Sequence, residues 1–190
     1  MKKIFVAVAA LCLATAALSA QTTPGIKPEI RPFAGAIIPT GELRNLFLDA
    51  PMFGVSTAVE LKPTVHVLAT FAWVPAQDKY RLAQNNVNIF QYTVGAELGF
   101  VRPLAGSWEL RPFAGVGLGA RTYAFQGVGL RDRTCFAGYG ALGTEFQIAR
   151  TALRLEARDN VFCYRSPISG VSSETRNDIG LSLGVAYHLR

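Results

Sequence analysis

The chain has 190 residues, of which 50% are hydrophobic and 17% are charged, and its formal net charge at pH 7 is +6. This mild positive charge does not indicate a nucleic-acid-binding protein, since such proteins gather Lys and Arg into strongly basic surfaces. After the N-terminal segment no apolar run approaches the ~20 residues of a membrane-spanning helix, so the apolar residues must be distributed over short segments.

The first twenty residues have the pattern of a secretory signal peptide. Two lysines follow the initial Met, an apolar run covers residues 4–18, and small residues come next. The run is too short to cross a bilayer as a helix, which disfavours the alternative of a retained membrane anchor. We predict cleavage between Ala20 and Gln21, and a short periplasmic leader over residues 21–28.

The remainder, residues 29–190, alternates between apolar and small or polar residues with a period of two, which is typical of β-strands. Turn-rich stretches divide it into eight segments. We predict strands over residues 30–38, 53–61, 65–74, 89–101, 109–125, 136–148, 152–162 and 179–189. Because no helical stretch separates them and long and short connections alternate, the strands should form an antiparallel meander with its long loops at one end.

The two faces of each predicted strand differ in a way that favours a membrane barrel. In the fourth strand one face carries Phe90, Tyr92, Val94, Ala96, Leu98 and Phe100, and the other carries Gln91, Thr93, Gly95, Glu97 and Gly99. Small residues suit the crowded interior of a narrow barrel, whereas a soluble barrel would present charged, bulky polar residues to water. Lysine is also scarce, since only Lys62 and Lys79 follow Lys27. We therefore expect the large apolar face to contact lipid.

Charges on the small-residue face occur in both signs and are expected to neutralise one another inside the barrel. This predicted lumen charge cluster consists of Arg31, Glu60, Glu97, Arg111, Glu145, Arg154, Glu156 and Arg158. The alternative for any one of them is a solvated position at a strand end.

Aromatic residues are predicted to form two belts, one at each membrane interface, as in lipid-embedded barrels. The belt at the long-loop end would contain Phe71, Trp73, Phe90, Tyr92, Phe125, Phe136, Phe162 and Tyr164. The belt at the short-turn end would contain Phe100, Trp108, Phe146 and Tyr187.

The sequence offers no strong signal for a catalytic, cofactor-binding or metal site. The histidines, His66 and His188, stand on distant strands without a neighbouring metal-ligand pattern. The glycines of residues 115–119 fall on one strand face with no helix after them, so a nucleotide-binding loop is not indicated. No His-x-Ser pair is present to indicate a lipid-deacylating enzyme.

Cys135 and Cys163 are the two cysteines of the predicted mature chain, and an exported protein enters an oxidising compartment. Both lie at the long-loop end of a predicted hairpin that turns near residue 149, so we predict a disulfide between them. The two residues are one step out of phase, which a β-bulge or a loop position would have to correct.

The C-terminal strand ends with a polar residue, a glycine and two hydrophobic positions, at Ser182, Gly184, Tyr187 and Leu189. This pattern, with the signal peptide and the belts, resembles the small eight-stranded outer-membrane β-barrel family of the OmpA transmembrane domain and OmpX type. The resemblance implies an all-β fold, an eight-stranded antiparallel up-and-down transmembrane barrel in the bacterial outer membrane. It also implies outer-membrane lipid and the barrel assembly machinery as partners, and these four residues as the assembly signal.

The resemblance does not select one activity, because members of the family differ in function. We expect a non-enzymatic barrel with a structural or surface-interaction role, a lumen filled by side chains, and long loops that could contact an extracellular ligand. A narrow pore for small or hydrophobic solutes and a lipid-modifying outer-membrane enzyme remain open as alternatives. No cofactor and no nucleic acid is expected to bind.

Overall fold

The computed structural model describes residues 27–77, 86–104, 106–125, 132–164 and 174–189. The predicted signal peptide, its cleavage site at Ala20 and Gln21, and most of the predicted leader lie outside the described residues. The strands are β1 (Lys27–Pro39), β2 (Ala50–Lys62), β3 (Val65–Gln77), β4 (Asn86–Gly99), β5 (Arg102–Pro103), β6 (Trp108–Phe125), β7 (Arg133–Ile148), β8 (Thr151–Tyr164) and β9 (Glu174–His188). A short helix, α1 (Leu43–Leu46), follows β1.

The eight long strands close into a barrel. Each pairs antiparallel with its neighbours along the chain, β4 pairs with β6, and β1 closes the sheet by pairing with β9. The two-residue β5 forms a small hairpin with the first residues of β6. Closure gives every long strand two partners and removes sheet edges, which a bilayer cannot hydrate. The predicted eight-stranded antiparallel up-and-down barrel is thereby confirmed.

The outer surface of the barrel is apolar, as the alternation predicts. Val94, Val116 and Leu142 are each more than 60% exposed, and large apolar residues project outward from all eight long strands. A soluble protein rarely exposes so extensive an apolar surface. The outer face is therefore suited to lipid. The part of the chain that the structure describes contains no helix long and apolar enough to cross a membrane.

Small residues on the inner face make room for a few large side chains. A Cβ at Gly117 would lie 2.3 Å from the Tyr139 ring, and one at Gly95 would lie 2.3 Å from the Tyr139 hydroxyl. Similarly, a Cβ at Gly143 would meet the Phe113 ring at 2.3 Å. The inner glycines thus lie where rings from neighbouring strands occupy the narrow lumen.

The strands are longer than predicted at the long-loop end, and α1 was not predicted. β4 begins at Asn86 and β9 at Glu174, in stretches whose polar residues indicated loop. In the structure inner polar residues of this end, such as Asp178, are paired inside the barrel, so strand conformation continues through them. β1 likewise begins at Lys27, within the predicted leader.

The belt prediction is only partly correct at the long-loop end. Phe136 lies on the outer face and is 64% exposed, and Trp73 is 38% exposed. Phe162 instead points into the barrel and is 2% exposed, and Phe125 and Tyr164 pack against the same buried cluster. These inner aromatic side chains close the barrel mouth and do not contribute to a lipid interface.

The predicted disulfide between Cys135 and Cys163 is not formed in the structure. The register of β7 with β8 pairs Ala137 with Phe162, without a bulge that would bring the two thiols onto one face. Cys135 is buried on the inner face, whereas Cys163 lies in the opposite phase of its strand and is only half-buried. The phase difference visible in the sequence therefore separates them.

Candidate functional site: the barrel lumen

The lumen contains three layers of side chains. We call the layer nearest the chain termini the charge network; it comprises Glu29, Arg31, His66, Glu97, Arg111, Glu145, Arg154, Glu156, Arg158 and His188. The polar layer above it comprises Gln91, Arg121, Asn160 and Asp178. The mouth cluster at the long-loop end contains Leu43, Phe47, Val74, Val87, Tyr123, Phe125, Phe162 and Tyr164.

Arg154 lies at the centre of the charge network. Its guanidinium is 2.6 Å from the Glu97 carboxylate and 2.7 Å from that of Glu156, and it also donates to Glu145. The guanidinium carbon lies 3.6 Å from the centre of the Phe113 ring. One side chain on β8 is thereby tied to carboxylates from β4, β7 and β8.

Two further arginines complete the centre by sharing the same carboxylates. Arg31 lies 3.4 Å from Glu97 and 3.7 Å from Glu145, and Arg111 lies 3.3 Å and 3.0 Å from the same two groups. Because all of these side chains are less than 10% exposed, the ion pairs are poorly screened by water. They cross-link strands from opposite sides of the barrel and occupy its cross-section.

The charge network balances its formal charges. Its carboxylates are Glu29, Glu97, Glu145 and Glu156, and its guanidiniums are those of Arg31, Arg111, Arg154 and Arg158. Burial of an unpaired charge would cost several kcal/mol, whereas a closed set of ion pairs offsets much of that cost. In the structure the four carboxylates and four guanidiniums of the network are paired with one another inside the barrel.

Glu60, in contrast, is peripheral to the predicted cluster. It lies at the short-turn end of β2, opposite His66 in the register, and is only half-buried. Arg158 marks the other limit of the network, since it pairs with Glu156 at 2.7 Å and covers the Tyr139 ring at 4.0 Å. Glu60 thus lies at a strand end, whereas the other predicted members form ion pairs inside the lumen.

Glu29 and the two histidines belong to the network although they were not predicted to. One Glu29 carboxylate oxygen lies 3.4 Å from His66 Nε2 and 2.9 Å from His188 Nε2. The description of these histidines as distant was wrong, because closure places β1 between β9 and β2 and turns the side chains toward one centre. Among the described residues no group of His, Cys, Asp or Glu is arranged to hold a metal ion.

The polar layer is a second, smaller hydrogen-bond network. Arg121 pairs with Asp178 and donates to Gln91 Oε1 over 2.8 Å. The Asn160 amide links Gln91 to Asp178, because its oxygen accepts a hydrogen bond from Gln91 at 2.8 Å and its nitrogen donates one to Asp178 at 2.9 Å. An interior cavity of about 30 Å³ lies between this layer and the charge network, with room for about two water molecules.

The mouth cluster closes the barrel above the polar layer. After β1 the chain turns inward at Gly41, whose φ is 53°, and forms the single turn of α1. Leu43 and Phe47 then enter the barrel and are 3% and 4% exposed. The Phe47 ring stacks on Tyr123 with 6.3 Å between centres and meets Tyr164 edge-on at 6.1 Å. The sequence did not predict this buried segment, because residues 39–42, which follow the first predicted strand, are polar and turn-forming.

The residues of the predicted assembly signal lie at the closing seam. Tyr187 and Leu189 face outward and are each 44% exposed, while Gly184 is buried on the inner face and Ser182 is half-buried there. Tyr187 pairs with Ile30 in β1, and Gly184 pairs with Phe33. Their orientations are those expected from the alternation, while their recognition by assembly machinery stays a prediction.

Solved structures with the same architecture are outer-membrane barrels. The chain superposes on the crystal structure of Neisserial surface protein A with a TM-score of 0.62 and 12% identity, over 86% of this chain and 97% of that one. The N-terminal barrel domain of OprF from Pseudomonas aeruginosa gives 0.57 and 14%, over 86% and 97%. OprG from the same organism gives 0.54 and 12%, over 87% and 96%.

At these identities the likeness establishes the fold and leaves the activity open. No protein-family model matches the sequence, and no curated protein matches it. The fold predicted from the sequence, that of small eight-stranded outer-membrane barrels, is confirmed by these comparisons. The apolar outer surface independently agrees with the predicted outer-membrane location.

Proposed function

We propose that this protein is an integral outer-membrane barrel with a structural or surface-interaction role, and that its closed lumen conducts no solute. The observation that carries the proposal is the charge network, in which Arg31, Arg111 and Arg154 share the carboxylates of Glu97 and Glu145 across the lumen. The polar layer and the mouth cluster add two further closures. A solute would have to pass all three.

The filled lumen also follows from the size of the barrel. Eight strands leave space for little beyond their own inner side chains, and here Tyr139, Phe113 and the arginines use that space. The cavity between the charge network and the polar layer is about 30 Å³, too small for a nutrient molecule. These features support a closed barrel over the alternative of a narrow pore.

A non-enzymatic role is part of the same proposal. A hydrolase acting on lipid needs a nucleophile beside its base. The two histidines contact Glu29 through Nε2, His66 Nδ1 lies 2.6 Å from Arg111, and His188 Nδ1 lies 3.2 Å from the Arg150 carbonyl. Their ring nitrogens therefore face charged groups or a backbone carbonyl and not a hydroxyl or thiol. This arrangement favours electrostatic cross-linking of the strands over general base catalysis.

Membrane lipid on the outer face and contacts at the long-loop end are the interactions that we propose for the barrel. An apolar outer face of this kind is suited to burial in lipid. The four connections at the long-loop end face the outside when the short turns and termini face the periplasm. An extracellular ligand, if one is bound, would therefore be contacted from this end.

Planar-bilayer conductance tests the closed lumen. The full chain should insert without steady single-channel current, whereas the Glu97→Ala/Arg154→Ala variant should conduct, because its central cross-links are lost. The Gly140→Ala variant is the matched control, since a Cβ there contacts nothing within 4 Å. A steady conductance of the unaltered chain, equal to that of the double variant, would favour the pore.

A further inference from the structure

In the mouth cluster the Phe47 side chain lies between other rings, as the aromatic ring of a bound ligand would. Leu43 and Phe47 come from a loop between two strands, yet both are almost fully buried inside the barrel. Phe47 lies between the Tyr123 ring, which it stacks on, and the Tyr164 ring, which it meets edge-on. Offset and edge contacts of this kind are a favourable way for a pocket to hold an aromatic ring.

The floor of this pocket carries two buried polar atoms with unused hydrogen-bonding capacity. The Tyr123 side chain is 1% exposed, and its hydroxyl lies beside Arg121 without a well-aligned hydrogen bond to it. Arg121 Nε is also buried and makes no hydrogen bond, although the rest of that guanidinium pairs with Asp178 and Gln91. Buried polar groups are nearly always well paired in folded proteins, so these two atoms are suited to a further hydrogen-bonding partner.

The loop segment that fills the pocket has little regular structure of its own. α1 has one turn and no side-chain cap, and isolated helices of this length are not stable by themselves. One of its polar contacts is the ion pair of Glu42 with Arg176, in which the Glu42 side chain is 75% exposed, and exposed ion pairs contribute little. The Leu48 amide donates to the Gln77 carbonyl over 3.1 Å. The buried side chains of Leu43 and Phe47 anchor the segment inside the barrel.

We propose that residues 42–47 form a displaceable plug over a binding site at the barrel mouth. The site takes a small aromatic molecule that carries one hydrogen-bonding group. The ring of the ligand replaces Phe47 against Tyr123 and Tyr164, and its polar group pairs with the Tyr123 hydroxyl and Arg121 Nε. The lumen below stays closed, because Arg121 keeps its pairs with Asp178 and Gln91 and the charge network lies deeper in the barrel.

Benzyl alcohol and toluene are suitable probes because they share a ring and differ by a hydroxyl group. Binding to the full-length mature barrel in lipid nanodiscs can be followed by nuclear magnetic resonance through the amide signals of β6 and β8. The chain should bind benzyl alcohol about tenfold more tightly than toluene, as one hydrogen bond to a buried group predicts. Tyr123→Phe should remove most of this preference while leaving toluene binding unchanged.

Truncation of the buried plug side chains distinguishes a displaceable plug from a loop with only a structural role. Phe47→Ala should strengthen the binding of both probes several-fold, because the competing ring is gone. Leu43→Ala, a smaller truncation of the same plug, should act in the same direction and serves if the first variant folds poorly. Weaker or unchanged probe binding in the folded plug variants would overturn the proposal.

Partition of the probes into the lipid is the main process that could be mistaken for binding to the protein. If the unaltered chain binds benzyl alcohol and toluene with equal affinity, and Tyr123→Phe changes neither affinity, the probes only partition into the bilayer. The proposal would then fail. Conductance measurements are independent of this outcome, so a closed, non-conducting barrel could be supported while the binding site is refuted.

Discussion

At the scale of single residues, Arg154 is the most consequential side chain of the lumen. Its removal leaves the carboxylates of Glu97, Glu145 and Glu156 without their shared partner in a poorly hydrated interior. Breaking a buried ion pair by deleting one side typically costs about 3–5 kcal/mol. We expect Arg154→Met to lower the free energy of unfolding by that amount in urea titrations of the barrel in lipid vesicles.

Glu60 provides the matched control for this prediction. It is a charged residue on the same face of a barrel strand, but it is only half-buried at a strand end. Glu60→Gln should therefore change the free energy of unfolding by less than about 1 kcal/mol, as for other solvated ion pairs. Similar losses in both variants would mean that the charge network does not contribute specifically to stability.

Glycines on the inner face should be intolerant of even one methyl group where a ring occupies their space. A Cβ at Gly117 would approach Tyr139 Cε1 to 2.3 Å and the Val94 carbonyl oxygen to 2.5 Å, so Gly117→Ala forces strands or ring to move. Overpacking of this kind costs about 1–3 kcal/mol. Thermal unfolding in detergent would measure it against Gly140→Ala, where nothing lies within 4 Å. Equal stability of the two variants would contradict the crowded lumen.

At the scale of strands, the outer face should reject charge. Leu183 projects outward from the middle of β9 and is 51% exposed, so Leu183→Arg places a guanidinium in lipid. The expected cost is about 2–4 kcal/mol near the bilayer centre. Folding titrations into vesicles would compare it with Leu183→Val. The neighbouring Gly184→Ala is not a neutral control, because its Cβ would lie 2.9 Å from the Pro32 carbonyl oxygen.

The period-two alternation of the strands explains how much of the lumen could be predicted from the sequence. Alternation fixes which face each residue takes, so the pattern by itself assigns Arg31, Glu97 and Arg154 to the lumen. The contacts between them could not be predicted, because register among non-consecutive strands depends on closure. Glu29 was missed for this reason, since it stands at a strand start and is joined by His66 from β3 and His188 from β9 only when the sheet closes.

The plug, residues 42–47, shows why the burial of loop residues could not be predicted from the sequence. Residues 40–48 contain turn-forming and polar residues followed by one short apolar stretch at 46–48, a composition that a solvated loop can also have. Leu43 and Phe47 are buried only because the barrel presents the Tyr123 and Tyr164 rings at that level. A local pattern cannot anticipate a pocket that several distant strands assemble.

At the scale of the whole molecule, stability depends on the seam between the first and last strands. In the register of the seam His188 pairs with Glu29, and the Leu189 amide donates to the Pro28 carbonyl over 2.8 Å. The His188 ring also lies 2.9 Å from the Glu29 carboxylate, which connects the seam to the charge network. The last few residues therefore fix both the sheet closure and the lumen packing.

Removal of residues 187–190 should consequently abolish membrane insertion while leaving export intact. The truncated chain loses the seam contacts and the outward Tyr187 and Leu189 that we predict the assembly machinery to recognise. An unclosed sheet would expose strand edges that lipid cannot satisfy. Fractionation of expressing cells should find the truncated chain degraded or aggregated in the periplasm, whereas a chain lacking only Arg190 should reach the outer membrane. Normal recovery of the truncated chain in the outer membrane would show that neither seam closure nor the C-terminal pattern is required for assembly.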